Sequence, residues 1–205
     1  MPECLPLNMN PIDYAELLGW WMSDGSLEQG TNRVSITQVK PAPTLDALME
    51  RMRGYGITPR SRHGWAFSNA ELANHLREFG AKHTGERRVP DSIMNAPRDV
   101  ILAFVTAYTC GDGNIKTLRT GGKEHTIWFS SKDTAGQFQE LGQKLGWGSA
   151  VRWQKGGTSV FSDGREVVCA GGWVVQFKKK WERVELLPTQ FSRVPYNGKI
   201  RSEEH

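Results

Sequence analysis

Two aspartates stand at matching places in the sequence, each after an apolar run and directly before a glycine. Asp24 is the next-to-last residue of "LLGWWMSDG", and Asp112 is the next-to-last residue of "FVTAYTCGDG". The two Asp-Gly pairs lie 88 residues apart. Two carboxylates that are brought together repel, so they either share a proton or hold a cation between them. Oxygen ligands of this kind favour Mg²⁺, with waters and phosphate oxygens completing its shell. Such a pair would support metal-assisted hydrolysis of a phosphodiester.

A stripe of small residues precedes each aspartate at positions i, i+4 and i+8. The stripes are Ala15, Gly19 and Ser23 in the first copy and Ala103, Ala107 and Gly111 in the second. These positions share one helix face, and small residues let two helix backbones approach closely. If the stripes pack together, both helices end at one level and the two aspartates meet at a pseudo-twofold axis.

The alternative is that each Asp-Gly pair is only a turn. Asp-Gly is a common hairpin turn, and a hairpin is predicted directly after each pair. An EF-hand does not fit, because residues 111–114 lack alternating acids and a distal Glu. Two copies in register, each with its small stripe, favour the metal site over two unrelated turns.

The repeat continues beyond the aspartates, where positions that match are 92 residues apart. Lys40 matches Lys132, and "GYGI" at 54–57 matches "GWGS" at 146–149. Periodicity and turn residues predict the same elements in each copy. These are a helix (11–23; 97–110), a hairpin (25–39; 113–131), a second helix (43–54; 133–146), a second hairpin (57–68; about 149–178) and a third helix (69–80; about 180–187). A polar segment, 81–97, joins the copies. We expect an α+β protein of two pseudo-symmetric halves.

Composition excludes several classes of protein. The 205 residues are 38% hydrophobic and 23% charged, which is typical of a globular chain, and no apolar run reaches the length of a membrane span. Without a Lys or Arg before Arg33, neither a signal peptide nor a transit peptide is expected, which predicts an intracellular protein of a bacterial or phage-infected cytoplasm. Three cysteines without CxxC spacing predict neither a disulfide framework nor a zinc site.

The positive charge is concentrated in the second copy. Residues 1–24 carry four acids and no Lys or Arg, whereas residues 113–180 carry eleven Lys/Arg against five Asp/Glu. This imbalance favours a polyanionic partner, although a solvated basic surface would give the same counts.

The two motifs and the elements after them resemble the LAGLIDADG homing endonucleases in their single-chain, two-motif form. The lead-in "RRVPDSIMNAPRDVILAFVTAYTCGDG" is most similar to the second motif of endonucleases found within inteins. The resemblance covers about residues 10–187 and implies two αββαββ repeats, with the motif helices at the interface and two saddle-shaped antiparallel sheets. It divides the chain into repeats at 10–80 and 98–190, a linker at 81–97 and a tail at 191–205.

The resemblance also implies an activity. It predicts a monomeric, Mg²⁺-dependent endonuclease that cuts a long asymmetric site in double-stranded DNA across the minor groove, leaving 3′ overhangs. Two or three divalent ions would be bound by Asp24 and Asp112, assisted by the backbone carbonyls of Ser23 and Gly111, and Mn²⁺ or Ca²⁺ can substitute in binding. The first aspartate of the family's name is Met22 here and Cys110 in the second copy, but that position is not a ligand.

Groups that support the metal ligands follow from the same resemblance. Gln38 occupies the position after the first hairpin, and a shift of 92 gives Ser130 as its counterpart. A basic residue at the end of the fourth strand often helps to activate water, and "WVVQFKKKW" offers Lys178 or Lys179. The first copy has "WAFSNAE" there, without a lysine, which predicts unequal cleavage of the two strands.

The predicted hairpins carry side chains suited to DNA. In "NRVSITQ", polar and apolar residues alternate, which gives one polar face. A two-stranded ribbon fits the major groove, although a solvated sheet face would show the same alternation. The predicted DNA contacts are Arg33, Ser35, Thr37, Lys40, Arg60, Arg62, His63, Lys116, Arg119, Lys123, His125, Arg152, Gln154, Lys155 and Arg165.

Two other functions remain open from the sequence. The same fold without cleavage would serve as an intron RNA maturase or a DNA-binding regulator, although two retained aspartates argue against a dead nuclease. A repeat protein with structural Asp-Gly turns is the third hypothesis. From Met1 and the closing "IRSEEH" we expect a free-standing gene product, because an intein would begin with Cys or Ser and end in His-Asn. An excised intein insert and a phage- or intron-encoded protein stay open as alternatives.

Overall fold

Two halves of the same design make up the protein, in a computed structural model that describes residues 5–38, 41–61, 64–80, 87–118, 123–160 and 165–178. After a 3-10 turn (Pro6–Asn8), the first half consists of α1 (Pro11–Asp24), β1 (Gly25–Leu27), β2 (Arg33–Ile36), α2 (Pro43–Met52), a 3-10 turn (Arg53–Tyr55), β3 (Arg60–Ser61), β4 (Trp65–Ser68) and α3 (Ala70–Arg77). A short helix, α4 (Asp91–Met94), connects it to the second half. That half consists of α5 (Arg98–Asp112), β5 (Gly113–Thr117), β6 (Lys123–Phe129), α6 (Lys132–Lys144), β7 (Gly148–Gln154), β8 (Gly157–Val160), β9 (Glu166–Cys169) and β10 (Gly172–Lys178).

The sheets repeat the same strand order. The first is β1-β2-β4-β3 and the second is β5-β6-β10-β7, and all pairs are antiparallel. The α+β fold with two pseudo-symmetric repeats is therefore confirmed. The predicted third helix of the second copy and the tail at 191–205 lie outside the described residues.

Two features differ from the predicted elements. The second hairpin of the second half contains an additional ribbon, β8 paired with β9, because the long connection between β7 and β10 folds back on itself. The end of the predicted polar linker is packed rather than extended, since Val89, Ile93 and Met94 are buried. These apolar side chains hold the segment against the core.

Helices α1 and α5 pack against each other at the centre of the molecule. The Asn10 side chain caps α1 by accepting from the Ile12 amide at 2.8 Å, and Pro11 occupies the first helical position. The contact is close at Gly19, where a Cβ would lie 2.5 Å from the Phe104 carbonyl oxygen and 2.9 Å from the Ala107 Cβ. The predicted meeting of the two small stripes is therefore present in the structure.

Among the residues that the structure describes, no helix has both the length and the apolar character that a membrane span needs.

Candidate metal centre and nucleic-acid interface

The ends of the two central helices meet. Asp24 and Asp112 are the last residues of α1 and α5, and the glycine after each begins the next strand in extended backbone. A Cβ at Gly111 would lie 2.7 Å from Asp24 Oδ2 and 2.7 Å from the Ser23 Cβ. The Asp24 carboxylate therefore lies against the end of the opposite helix, and only glycine at 111 leaves room for it.

Asp24 is held by the first sheet as well as by its helix. Gln38 Nε2 donates to Asp24 Oδ2 at 3.1 Å, and the Thr37 amide donates to the Asp24 carbonyl at 3.0 Å. Because the pairing of β1 with β2 continues up to the helix end, both the backbone and the carboxylate of Asp24 have fixed positions.

Asp112 lines a small cavity on the other side of the junction. The cavity has a volume of about 160 Å³ and is also lined by Ser23, Arg87, Tyr108 and Ser130. Burial, Asp112 and Asp24 all raise the pKa of the Tyr108 phenol, while Arg87 lowers it. One phenol therefore lies within electrostatic range of both carboxylates.

The strand register gives Gln38 a different counterpart from the one predicted. Gly25 pairs with Ile36, and Gly113 pairs with Ile127, so equivalent positions in β2 and β6 differ by 91 rather than 92. Gln38 lies two residues after Ile36, and Phe129 lies two residues after Ile127. Gln38 therefore corresponds to Phe129 and not to Ser130. Phe129 is buried, with its ring centroid 5.7 Å from that of Tyr108. The two aspartates therefore have different neighbours.

The junction offers the ligands that Mg²⁺ normally uses, but few of them. Among the described residues there is no group of three or more His, Cys, Asp or Glu that could hold a metal ion. Two carboxylates fit Mg²⁺ because this ion keeps several waters and is bound by one or two carboxylates together with substrate phosphates. The donor set therefore fits a metal that shares its shell with a phosphodiester, rather than an enclosed protein site.

Arg87 is a residue of this site that the sequence did not identify. Its guanidinium donates to the carbonyls of Trp21 (2.9 Å), Met22 (3.1 Å) and Gly25 (3.3 Å), and lies 4.0 Å from the centroid of the Trp21 ring. The only signal was its place in the "RRVP" lead-in to the second motif, which does not show what the side chain contacts.

The open face of the first sheet, turned away from the buried residues Val34 and Phe67, carries several predicted DNA contacts. Cross-strand register places Arg33, Ser35, Arg60, Ala66 and Ser68 on it. A groove of about 830 Å³ lies over this face and also includes Thr37. Lys40, Arg62 and His63 lie outside the described residues.

The open face of the second sheet is larger. Register places on it Asn114, Lys116, Glu124, Thr126, Trp128, Arg152, Gln154, Gln176 and Lys178. Trp128 is 46% exposed there and also lines the cavity beside Asp112. Lys155 directly follows β7, Arg165 directly precedes β9, and both are exposed. Lys123 is in β6, but its side chain is not described, and Arg119 lies outside the described residues.

His125 does not lie on this open face. It is only 9% exposed and pairs across the sheet with the buried Phe177, while its ring centroid lies 6.3 Å from that of Trp147. The two-residue period of β6 places His125 on the same side as Ile127 and Phe129, which face the core. The prediction that His125 contacts DNA is therefore wrong: the sequence showed a polar residue near a hairpin but not the phase of the strand.

Lys178 is the last residue of β10, the fourth strand of the second sheet along the chain, which is where the resemblance places a basic residue. Gly113, which follows Asp112, pairs through Ile127 with Val175, and Lys178 lies three residues further along β10. Three residues along the strand and two strands across give a separation of about 14 Å from Gly113. Lys178 lies on the open face of the second sheet, and its part in the reaction stays a prediction. Lys179 lies outside the described residues.

A LAGLIDADG fold is the class of structure that these features define: two repeats, two antiparallel sheets and two central helices that each end on an aspartate. No protein-family model and no curated protein matches the chain. Among solved structures, it is similar to two variants of I-DmoI in complex with target DNA. One, in the presence of manganese, has a TM-score of 0.53, 17% identity and coverage of 82% of this chain and 86% of that chain. The other, in the presence of magnesium, has a TM-score of 0.50, 18% identity and coverage of 82% and 88%. I-DmoI is described as a homing endonuclease.

Proposed function

We propose that this protein is a site-specific endonuclease of double-stranded DNA that depends on a divalent metal ion, and that it acts as a monomer. The observation that carries the proposal is the meeting of Asp24 with the end of α5 at Gly111, next to Asp112. Because one chain supplies both carboxylates, a second copy is not needed to complete the site. The fold that it shares with a DNA-bound homing endonuclease supports the same function.

Each part of the site has a role in this proposal. Asp24 and Asp112 hold the metal, with the Ser23 and Gly111 carbonyls assisting, and Mn²⁺ or Ca²⁺ replaces Mg²⁺ in binding. When bound, the metal stabilises charge on the phosphate and lowers the pKa of water. Gln38 fixes the orientation of the Asp24 carboxylate. The two open faces carry Arg, Lys and Gln donors that reach base edges and phosphates.

The main alternative is a protein of the same fold that binds DNA or intron RNA without cutting it. Two carboxylates crowded at one helix junction are a cost to a binding protein, because like charges repel and each lies at the negative end of a helix. A metal ion bound between the two carboxylates would offset their repulsion. The arrangement therefore favours a metal-dependent nuclease over a protein that only binds.

The experiment that tests the proposal is selection of cleaved sites from a randomised DNA library in Mg²⁺, with EDTA as the control. We expect one long asymmetric target, because the open faces of the two halves carry different side chains. If the library and the flanks of the protein's own gene are bound but not cut, the binding alternative replaces this proposal.

Gln38→Ala is expected to slow cleavage by about 10- to 100-fold, because a residue that orients a metal ligand contributes that much to affinity or activity. The measurement is the single-turnover rate on the selected target at saturating protein. Gln143→Ala, an exposed glutamine on α6, is the matched control and should cut at the wild-type rate. Equal rates for the two variants would show that the Gln38–Asp24 hydrogen bond has no part in the reaction.

DNA affinity is expected to fall steeply with salt, as it does for proteins that neutralise several phosphates. Arg33→Gln and Arg152→Gln should each weaken binding, with a salt slope reduced by about 1 where the arginine contacts phosphate. Arg53→Gln is the control, because Arg53 belongs to the turn after α2 rather than to a sheet and pairs with Glu50 at 2.9 Å. Fluorescence anisotropy in Ca²⁺ at several salt concentrations measures these slopes, and a flat response would contradict the assigned faces.

A further inference from the structure

The backbone around Arg87 is attached to the second half of the protein. Thr134 Oγ1, on α6, donates to the Arg87 carbonyl at 3.0 Å. Gln137, one turn further along α6, accepts from the Val89 amide at 2.9 Å and donates to the Val89 carbonyl at 3.0 Å. Three hydrogen bonds within three residues therefore fix this part of the connecting segment on α6.

The side chain of Arg87 is attached to the first half. Its three hydrogen bonds go to carbonyls of the last turn of α1 and of Gly25, and its guanidinium stacks on Trp21. The last carbonyls of a helix have no partner within the helix and form the negative end of its dipole, so a cation is favoured there. Burial lowers the pKa of Arg87 to about 10, which leaves it charged at neutral pH.

We infer that Arg87 is a positioning residue that holds the end of α1, and with it the Asp24 carboxylate, at a fixed place relative to Asp112. This inference rests on the proposed function, because it concerns the metal-binding pair. The three carbonyls are reached from two separate guanidinium nitrogens, Nη1 and Nη2. A lysine ammonium carries all of its donors on one compact nitrogen and cannot reproduce this spread. The same cation lines the cavity beside Asp112, so it offsets the repulsion between the two carboxylates.

The neighbouring Arg88 provides a matched control. It has the same charge and the next place in the chain, but its side chain is 70% exposed and pairs with Asp133 at 3.4 Å on the surface. Arg87→Met and Arg88→Met both remove one positive charge and keep a long unbranched side chain. A difference between them therefore reports the contacts with α1 and not the net charge.

The test compares these variants by two measurements that do not require cleavage. Hydrogen exchange of the full chain without metal follows the amides at 23–25, and calorimetry measures Ca²⁺ binding. Arg87→Met is expected to exchange faster at 23–25 and to bind Ca²⁺ about 10-fold more weakly, whereas Arg88→Met matches the wild type. Arg87→Lys keeps the charge but makes fewer hydrogen bonds. Its exchange rate at 23–25 and its Ca²⁺ affinity should therefore lie between those of the wild type and Arg87→Met.

The inference is overturned if Arg87→Met matches Arg88→Met in both exchange and Ca²⁺ affinity. If Arg87→Met does not fold, Arg87→Lys decides: faster exchange at 23–25 supports the role and wild-type exchange overturns it. Failure of the proposed function is a separate result, namely a wild-type protein that cuts no DNA in Mg²⁺. The exchange measurement decides the role of Arg87 in that case too, because it needs neither metal nor substrate.

Discussion

Gly19→Ala is expected to destabilise the protein by about 2 kcal/mol, which corresponds to a fall in Tm of about 4–8 °C. In an open helix the same change would stabilise, because alanine is the better helix former by about 1 kcal/mol. Here the added Cβ would lie 2.5 Å from the Phe104 carbonyl oxygen, and that oxygen belongs to the backbone of the packed helix α5. The two helices must move apart, which loses contacts along the whole pair.

Gly136→Ala is the matched control for this prediction. Gly136 lies within α6 and is exposed, and no neighbouring element comes within 4 Å of the place that an added Cβ would occupy. It should gain about 0.5–1 kcal/mol from the reduced backbone freedom of alanine. Thermal and urea unfolding of both variants measure the two signs, and a stabilised Gly19→Ala would contradict the close contact of α1 with α5.

Asp24→Asn and Asp112→Asn are each expected to slow cleavage by more than the ~100-fold seen for a group that only orients a metal ligand. Each change removes a negative ligand but keeps the shape of the side chain. Stability should rise at the same time, by about 0.3–1 kcal/mol, because a negative charge at a helix C-terminus is unfavourable. A variant that is more stable but inactive would show that the aspartate is a metal ligand and not only part of a structural turn.

The measurements for this pair are the single-turnover rate in Mg²⁺ and DNA affinity in EDTA. Both variants should bind the selected target at least as tightly as the wild type without metal, because each carries one negative charge fewer. Asp91→Asn, an exposed aspartate on α4, is the control and should cut normally. Wild-type cleavage by either site variant would exclude a site that needs both carboxylates.

The sequence was sufficient to predict the centre of the fold. A helix whose small residues recur every four positions has only one face that can approach another backbone, and the chain contained that face twice. Gly19 and Gly111 therefore predicted the helix pair before any tertiary contact was known. Gln38 was predicted from the resemblance, which implies a supporting group after the first hairpin, and its side chain does donate to Asp24.

The remaining site residues depend on information that a single repeat shift does not contain. The two halves differ by 88 residues at the helix ends and by 91 in the paired strands, so a shift of 92 selected Ser130 in place of Phe129. A one-residue change of phase exchanges the two faces of a strand, which is why His125 was assigned to the wrong side. Arg87 was missed because its partners are main-chain carbonyls, which carry no sequence signal.

The central claim is that one compact site at the helix junction cuts both strands of DNA. Both carboxylates lie at one helix junction. We therefore expect it to serve two phosphates across the minor groove, which is about 6 Å wide, rather than two across the major groove, which is about 12 Å wide. Sequencing the ends left by Mg²⁺-dependent cleavage of the selected target tests this directly. The site predicts cuts on both strands with 3′ overhangs, and 5′ overhangs or an uncut target would contradict it.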